Sequence, residues 1–283
     1  MSPTRRPGAQ RGVALAMVVW FIAGMSLLVA GIVSHARVDS RLTGVHLARA
    51  EVVAAGDGAI MLAMAERRRG YQSSGAGPMI SETVHRVGDI EVTVRLVPAN
   101  GFVDLNRAPR EVLAALFAFS RVLDKGDALS AADNVVQWRR ASARGKRARG
   151  SSSTFYAVED VLRVEGVTRQ LLDGVRDYVV VGNWAQGSMN WSASPQAMIA
   201  LLEALDPAQS DGVVERRSNM ARTSGGNRGQ SSAGSARAFR ADALVNYGGK
   251  RWLRRRWLAN GSTGLSRLPW KVVRTEPPRV VAG

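Results

Sequence analysis

The dominant pattern in the chain is an apolar run near the N-terminus. Residues 13–33 form a stretch of 21 residues without a charged side chain. A helix of that length is about 32 Å long, enough to cross the hydrocarbon core of a bilayer. Three arginines and no acidic residue precede it: Arg5, Arg6 and Arg11. The positive-inside rule therefore predicts a single-pass protein with a cytoplasmic N-terminus.

A cleaved secretory signal is the alternative interpretation of this run. Such a signal has a shorter apolar region, followed by a cleavage site of the A-x-A type. Ser34-His35-Ala36 matches that site poorly.

Helical periodicity continues beyond the apolar run, with no proline between residues 13 and 69. Apolar residues recur mostly at intervals of three, four or their multiples: Val38, Leu42, Val45, Val52, Ile60 and Met64. We predict one long helix over 13–70, of which 13–33 is the transmembrane part. Gly44, Gly56 and Gly58 weaken it. The alternative is a membrane span followed by a separate amphipathic helix.

Strand patterns flank a helical middle region. Residues 90–97 alternate between apolar and polar, as in a half-buried strand. Further strands are predicted at 239–247, 251–258 and 270–274, with turns at Gly248-Gly249 and Asn260-Gly261. Strand 251–258 contains four arginines, so its sequence does not indicate which of its faces is buried. The expected antiparallel sheet is thus split between 71–103 and 206–283.

Two segments within these regions predict irregular structure. Residues 71–89 are interpreted as a Gly/Ser loop and a turn. Residues 206–237 are rich in Gly, Ser and Arg and are interpreted as loop or disorder.

The middle region contains an internal repeat. VDLNRAPREVLAAL at 103–116 aligns without gaps with MNWSASPQAMIALL at 189–202, so that Pro109 matches Pro195 and Asp104 matches Asn190. Each copy predicts a polar cap and a proline in the first helical turn before an amphipathic helix. Helices are also predicted at 130–141, with a cap at Ser130, and on both sides of Gly166-Val167-Thr168. Residues 104–205 are therefore expected to form an all-α domain.

Composition narrows the function classes. The 283 residues carry 39 Lys+Arg against 23 Asp+Glu, no cysteine and three histidines. Thiolate metal sites, disulfides and cysteine nucleophiles are excluded, and the scattered histidines give no triad or zinc pattern. We assign no catalytic or cofactor-binding residue and expect no enzyme. Asp124, Asp127 and Asp133 lack the spacing of an EF-hand, so any metal ligands stay unknown.

The rival class is nucleic-acid binding, by a DNA-binding or DNA-uptake membrane protein with helix-hairpin-helix-like helices. It is suggested by the basic stretch 139–149 and by the turn at Gly166-Val167-Thr168, because helix-hairpin-helix modules offer backbone N–H groups to phosphate at such a turn. Thr168 stands where a second glycine is usual and suits a helix N-cap instead. We interpret the basic stretch as a solvated loop and expect no nucleic-acid partner.

A basic leader ending in Gly12, an apolar helix beginning at Val13 and its amphipathic continuation resemble the type IV pilin and pseudopilin class. The resemblance implies that a prepilin peptidase cuts between Gly12 and Val13, making residues 1–12 a prepilin leader. Most members have glutamate at the fifth mature position, where this chain has Met17. Without a subunit above it, a buried carboxylate would lack a partner, so an apolar residue suits the tip of a filament.

Met17 together with the helical repeat resembles component K, the tip minor pseudopilin of type II secretion (general secretion pathway protein K family). The resemblance implies an α+β fold, in which a pilin-like helix packs on an antiparallel sheet with a large inserted all-α domain. It implies a place in the cell inner membrane with most of the chain periplasmic, and export of proteins across the outer membrane. Implied partners are components H, I and J, the pseudopilus, prepilin peptidase and secreted substrates. Some members bind calcium. A minor pilin of a type IV pilus is a further alternative.

Overall fold

The computed structural model describes residues 11–74, 80–144, 154–182, 189–223, 236–261 and 268–281. The chain divides into two units, Met1–Val53 and Ala54–Gly283. The first unit contains most of helix α1, which runs as one helix over Arg11–Ser74. The predicted long helix 13–70 is confirmed, and the alternative of two separate helices is not found. The predicted domain limits stay predictions.

The second unit contains an antiparallel sheet. Its strands are β1 (Ser81–Val87), β2 (Ile90–Pro98), β5 (Ala238–Tyr247), β6 (Lys250–Asn260) and β7 (Trp270–Thr275), paired in that order, with β8 (Arg279–Val280) beside β6. All neighbours are antiparallel. The predicted α+β class and four strands are confirmed. The part of α1 from residue 54 onward packs on this sheet, burying Ala59, Ile60 and Ala63.

The predicted loop over 71–89 is wrong where β1 lies. In β1 the polar residue His85 is buried and the apolar residue Val84, at the centre of the strand, is exposed. This is the reverse of the usual pattern of buried apolar and exposed polar side chains. Gly88, at φ +60°, forms the turn to β2 with Asp89. The predicted turn at Gly248-Gly249 is confirmed, and both residues have a positive φ, as a type I′ turn requires. Gly261 ends β6 at φ +119°, and residues 262–267 lie outside the described ones.

An α-helical insert separates β2 from β5. It contains α2 (Arg110–Phe119), α3 (Lys125–Arg144), α4 (Arg169–Val175), α5 (Ile199–Leu205) and α6 (Pro207–Thr223), with 3-10 turns and a two-stranded parallel pair of β3 (Val103–Asp104) and β4 (Val179–Val180). Pro98 and Phe239, which flank the insert, are register partners. The insert therefore leaves and rejoins the sheet at one place.

The insert has a core of its own. Apolar residues from all parts of it are buried together, among them Leu113, Leu116, Phe117, Phe155, Leu171, Leu172 and Met198. Fully burying each such side chain contributes about 1.5–3 kcal/mol. The predicted all-helical character of this region is confirmed for its described residues, apart from the short pair β3–β4.

The helix boundaries in the insert differ from prediction in two places. Helix α3 begins at Lys125 and is capped by Asp124, whose Oδ1 accepts the N–H of Asp127 at 2.8 Å. Ser130 lies inside the helix and donates to the Gly126 carbonyl. The loop predicted for 206–237 is wrong over α6, which begins after Asp206, whose Oδ1 accepts the N–H of Gln209. Residues 224–235 lie outside the described ones.

The two copies of the internal repeat share local geometry. Asp104 accepts the backbone N–H of Asn106 at 2.8 Å, and Asn190 accepts that of Ser192 at 3.1 Å. Both are turns closed by a short polar side chain. Pro109 and Pro195 each stand one residue before the helical turn that follows, rather than inside it. The repeat is thus structural as well as sequential.

Candidate functional site

The N-terminal part of α1 is a surface rather than a core element. Every described side chain from residue 14 to residue 46 is exposed, and nothing in the most apolar 18-residue window is buried. In the part of the chain that the structure describes, this is the one helix long and apolar enough to cross a membrane. A core helix of a soluble protein would be mostly buried. This helix fits a single-pass membrane anchor.

The residues of the predicted leader site lie at the start of this helix. Gly12 and Val13 have helical backbone, and Met17 is 67% exposed between Ala16 and Val18 on the same surface. Leader cleavage involves a peptidase, and tip capping involves other subunits of a filament. The roles of Gly12, Val13 and Met17 therefore stay predictions.

The second candidate region is the set of ion pairs on the two faces of β6. On the face toward α1, Arg254 makes a two-pronged contact with Asp57, at 2.8 Å from Nε and 3.1 Å from Nη2. Arg256 reaches the same carboxylate at 2.6 Å. Gly56 makes this approach feasible, since a Cβ there would lie 2.9 Å from Cβ of Arg254. The arginine load of the strand thus secures α1 to the sheet.

On the opposite face, Arg255 binds the insert. Its guanidinium contacts Asp242 on β5 at 2.6 Å and Asp177, in the 3-10 turn Arg176–Tyr178, at 2.5 Å. Arg279 on β8 also contacts Asp177, at 2.9 Å. Burial alone would raise the pKa of Asp177, but Arg255, Arg279 and Arg240 outweigh it and hold that pKa below its usual value. The question of which face is buried is answered: both are.

Arg240 is a further buried cation of this face. It lies 4.2 Å from the ring centroid of Phe102 and pairs with Asp242 at 2.8 Å. Burial, more than any other influence, lowers its pKa to about 10. Phe102 also packs edge-on against Trp257 at 5.3 Å. This arrangement joins the first residues of the insert to the sheet, and a strand-by-strand hydrophobic pattern contains no signal for it.

Backbone contacts also join residues 100–101, which follow β2, to residues 190–193 of the insert. The Asn190 N–H donates to the Asn100 carbonyl at 2.8 Å. A Cβ on Gly101 would lie 2.3 Å from the carbonyl oxygen of Ala193, closer than any side chain tolerates. Arg217 of α6 then binds the turn around Ala193, donating to the carbonyls of Trp191, Ser192 and Ser194.

The acidic residues considered for a metal do not converge. Asp124 caps α3, whereas Asp133 forms an ion pair with Arg110 through two contacts, one of 2.7 Å. The described segments contain no group of three or more His, Asp or Glu side chains suited to a metal ion. The described residues thus give no candidate ligand set for the calcium that the family resemblance allows, and we derive no role for it.

Two residues in the features that suggested nucleic-acid binding, Arg139 and Thr168, have structural roles. Arg139 is largely enclosed and donates to the Ala108 carbonyl at 2.7 Å, and burial lowers its pKa to about 10. Thr168 is the N-cap of α4, as predicted, and accepts the Leu171 N–H at 3.2 Å. Gly166 has φ +81°. Residues 145–149 of the basic stretch lie outside the described ones.

Comparison with known proteins gives a likeness of fold. No family model matches the chain, and no curated protein matches it. Among solved structures, it is similar to a chain in "The Crystal Structure of the GspK-GspI-GspJ complex from enterotoxigenic Escherichia coli Type 2 Secretion System". The identity is 11% and the TM-score 0.48, with 87% of this chain and 100% of that chain covered. A likeness of this extent does not establish membership of a family.

Proposed function

We propose that the chain is a minor pseudopilin of type II secretion, of the component K kind, and that it acts at the tip of the pseudopilus. The observation that carries the proposal is the single helix Arg11–Ser74, whose exposed apolar part directly follows Gly12. Exposed apolar surface of this extent requires a lipid or protein environment. A helix that passes from the membrane into a protein filament meets both needs.

The proposed precursor is held in the inner membrane with its leader in the cytoplasm. Prepilin peptidase removes residues 1–12, and Val13 becomes the new N-terminus. The second unit, Ala54–Gly283, then lies in the periplasm. The role is mechanical: the chain joins other subunits and takes part in protein export.

The helical insert supports a place at the tip. It is a compact body with its own core, attached to one face of the sheet through Asp177, so it adds width that a subunit inside a helical stack would have to accommodate. We infer that components H, I and J are its partners and that secreted substrates contact this end. Cross-linking of assembled pseudopili tests the position: the chain should be found at one end, and its presence along the shaft would contradict the proposal.

Leader cleavage is tested by intact-mass and N-terminal analysis of the membrane form, with and without prepilin peptidase. A mature chain beginning at Val13 is expected, and a chain beginning beyond Val33 would show a secretory signal instead. Gly12→Leu places a bulky side chain at the cleaved bond and should abolish processing. Gly8→Leu alters the other leader glycine and is the matched control that should still be cleaved.

Met17 tests the tip assignment separately. Met17→Glu introduces a carboxylate that has no partner where no subunit lies above, at a cost of several kcal/mol or forced protonation. We expect normal cleavage but reduced secretion. Met17→Leu conserves the apolar character and should secrete normally. Unchanged secretion by Met17→Glu would refute the capping explanation without affecting the cleavage result.

A further inference from the structure

The two edges of the sheet differ in how they are protected. Beyond β6, the outer edge is divided between β7 and β8, and Pro277 and Pro278 lie between them. Proline has no N–H to offer to an incoming strand, and edges interrupted in this way resist pairing. The other edge is β1, seven consecutive residues without a proline or a bulge.

The side chains of β1 divide between its two faces. His85 is buried toward α1, with Nδ1 3.8 Å from Oε1 of Glu66, and Val87 lies against Gly58. Glu82, Val84 and Arg86 alternate with these residues and are exposed. Val84 stands at the centre of the strand with 60% of its surface exposed. The edge therefore presents an apolar centre flanked by one acid and one base.

Charges alternate in sign across the hairpin. In the register of β1 with β2, Glu82 is opposite Arg95 and Arg86 is opposite Glu91, while Val84 is opposite Thr93. Opposite charges on directly paired residues stabilise a sheet and like charges destabilise it. A strand added to β1 would continue both rows with a base opposite Glu82 and an acid opposite Arg86, and would place an apolar residue opposite Val84.

A strand added to β1 would come from a different polypeptide rather than from a second copy of this chain. Antiparallel pairing of two β1 strands has a twofold axis perpendicular to the sheet, so the segments 54–74 of the two copies would run in opposite directions. Two chains anchored in one membrane enter it from the same side. Pairing of β1 with the opposite edge of another copy meets Pro277-Pro278. This step rests on the proposed membrane-anchored function.

We propose that the outer edge of β1, which pairs with no other described strand, binds an extended strand of another polypeptide in antiparallel orientation, with an acid, an apolar residue and a base at alternate positions. Antiparallel addition continues the pattern of the sheet. Main-chain hydrogen bonds supply affinity and the three alternate side chains supply specificity, as in β-strand addition generally.

Disulfide trapping tests this pairing, because the native chain has no cysteine. Val84→Cys in the full-length, uncleaved protein is equilibrated in a thiol buffer with peptides that carry one central cysteine. The matching peptide reads Glu-Thr-Cys-Thr-Arg and the reversed peptide reads Arg-Thr-Cys-Thr-Glu. We expect about tenfold more mixed disulfide with the matching peptide, since two charge pairs change sign between them. Equal trapping of both peptides would overturn the proposal.

Two further variants make the test specific. Exchanging the charges, as Glu82→Arg with Arg86→Glu in the Val84→Cys protein, should invert the peptide preference. Val272→Cys on β7, 43% exposed, is the matched control and should show no preference. A dominant disulfide between two copies of the Val84→Cys protein would identify a second copy as occupant and overturn the inference. None of these readouts depends on leader cleavage, so failure here is distinguishable from failure of the proposed function.

Discussion

The two faces of β6 bury arginine in different ways. Toward α1, a single carboxylate, Asp57, neutralises both Arg254 and Arg256. Toward the insert, Arg255 contacts two aspartates: it shares Asp242 with Arg240 and Asp177 with Arg279. A third carboxylate, that of Glu276, lies 3.7 Å from the Arg255 guanidinium. The helix attachment thus depends on one residue, whereas the insert attachment is distributed. Burying an ion pair contributes little by itself, but breaking one leaves an uncompensated charge, so the first face is the more vulnerable.

The largest effect is expected from Asp57→Ala. It leaves two enclosed guanidinium groups without their shared carboxylate, and the free energy of unfolding should fall by about 3–5 kcal/mol. Denaturant titration of the purified protein in detergent measures it. Asp242→Ala, on the distributed face, should cost less because Arg255 keeps the Asp177 carboxylate and Arg240 keeps its hydrogen bond to the Asp177 carbonyl. An equal loss in both variants would refute the comparison.

Gly101→Val tests the insert attachment through the backbone. The new side chain would collide with the Ala193 carbonyl, and an overpacked site of this kind costs about 1–3 kcal/mol. The cost should appear as earlier unfolding of the insert, measured by hydrogen exchange at α2 and α5. Gly126→Val is the control, because a Cβ at Gly126 would have the Asp124 carboxylate as its nearest neighbour, at 3.4 Å. Uniform exchange in both variants would contradict the assignment.

Acid should weaken the distributed face through Asp177. Its folded-state pKa lies below the unfolded value of about 4. Its contribution to stability is therefore present above about pH 4 and is lost as the pH falls through the folded pKa. Unfolding midpoints between pH 6 and pH 2.5 should decline less steeply in Asp177→Asn than in the native protein. Identical slopes would show that this carboxylate is not coupled to folding.

The smallest effect is expected at an exposed ion pair. Arg110 and Asp133 are about 40% exposed on the surface of the insert, where water screens their attraction. Asp133→Asn should leave the unfolding midpoint unchanged within error. A measurable loss would mean that surface pairs of the insert contribute as the enclosed pairs do, and the contrast between the faces of β6 would lose its meaning.

Most elements of the fold could be predicted because their signals are local. The long helix follows from apolar spacing and absent proline, and the hairpin at Gly248-Gly249 follows from turn chemistry. Strand β1 could not be predicted, because His85 is buried on one face while Val84 is exposed on the other. Helix α6 has few apolar residues and depends on the Asp206 cap and the contacts of Arg217, so its sequence resembles that of a loop.

The candidate sites also divide into those with a local signal in the sequence and those without one. Gly12, Val13 and Met17 are recognisable from sequence by position alone, and their roles are still predictions. The pairing of Asp57 with Arg254 joins residues 197 apart in the chain, and that of Arg255 with Asp177 joins residues 78 apart. No spacing rule links such residues, so the arginine-rich strand showed only that partners were needed, without indicating which.

Because Pro98 and Phe239 are paired neighbours, the chain leaves the sheet for the insert and returns to it at one place. A two- or three-residue hairpin connection between those strands would leave a continuous five-stranded meander of β1, β2, β5, β6 and β7. The order of the strands in the sheet therefore does not depend on the insert. Replacing the insert with such a connection would be the direct way to ask what the insert contributes.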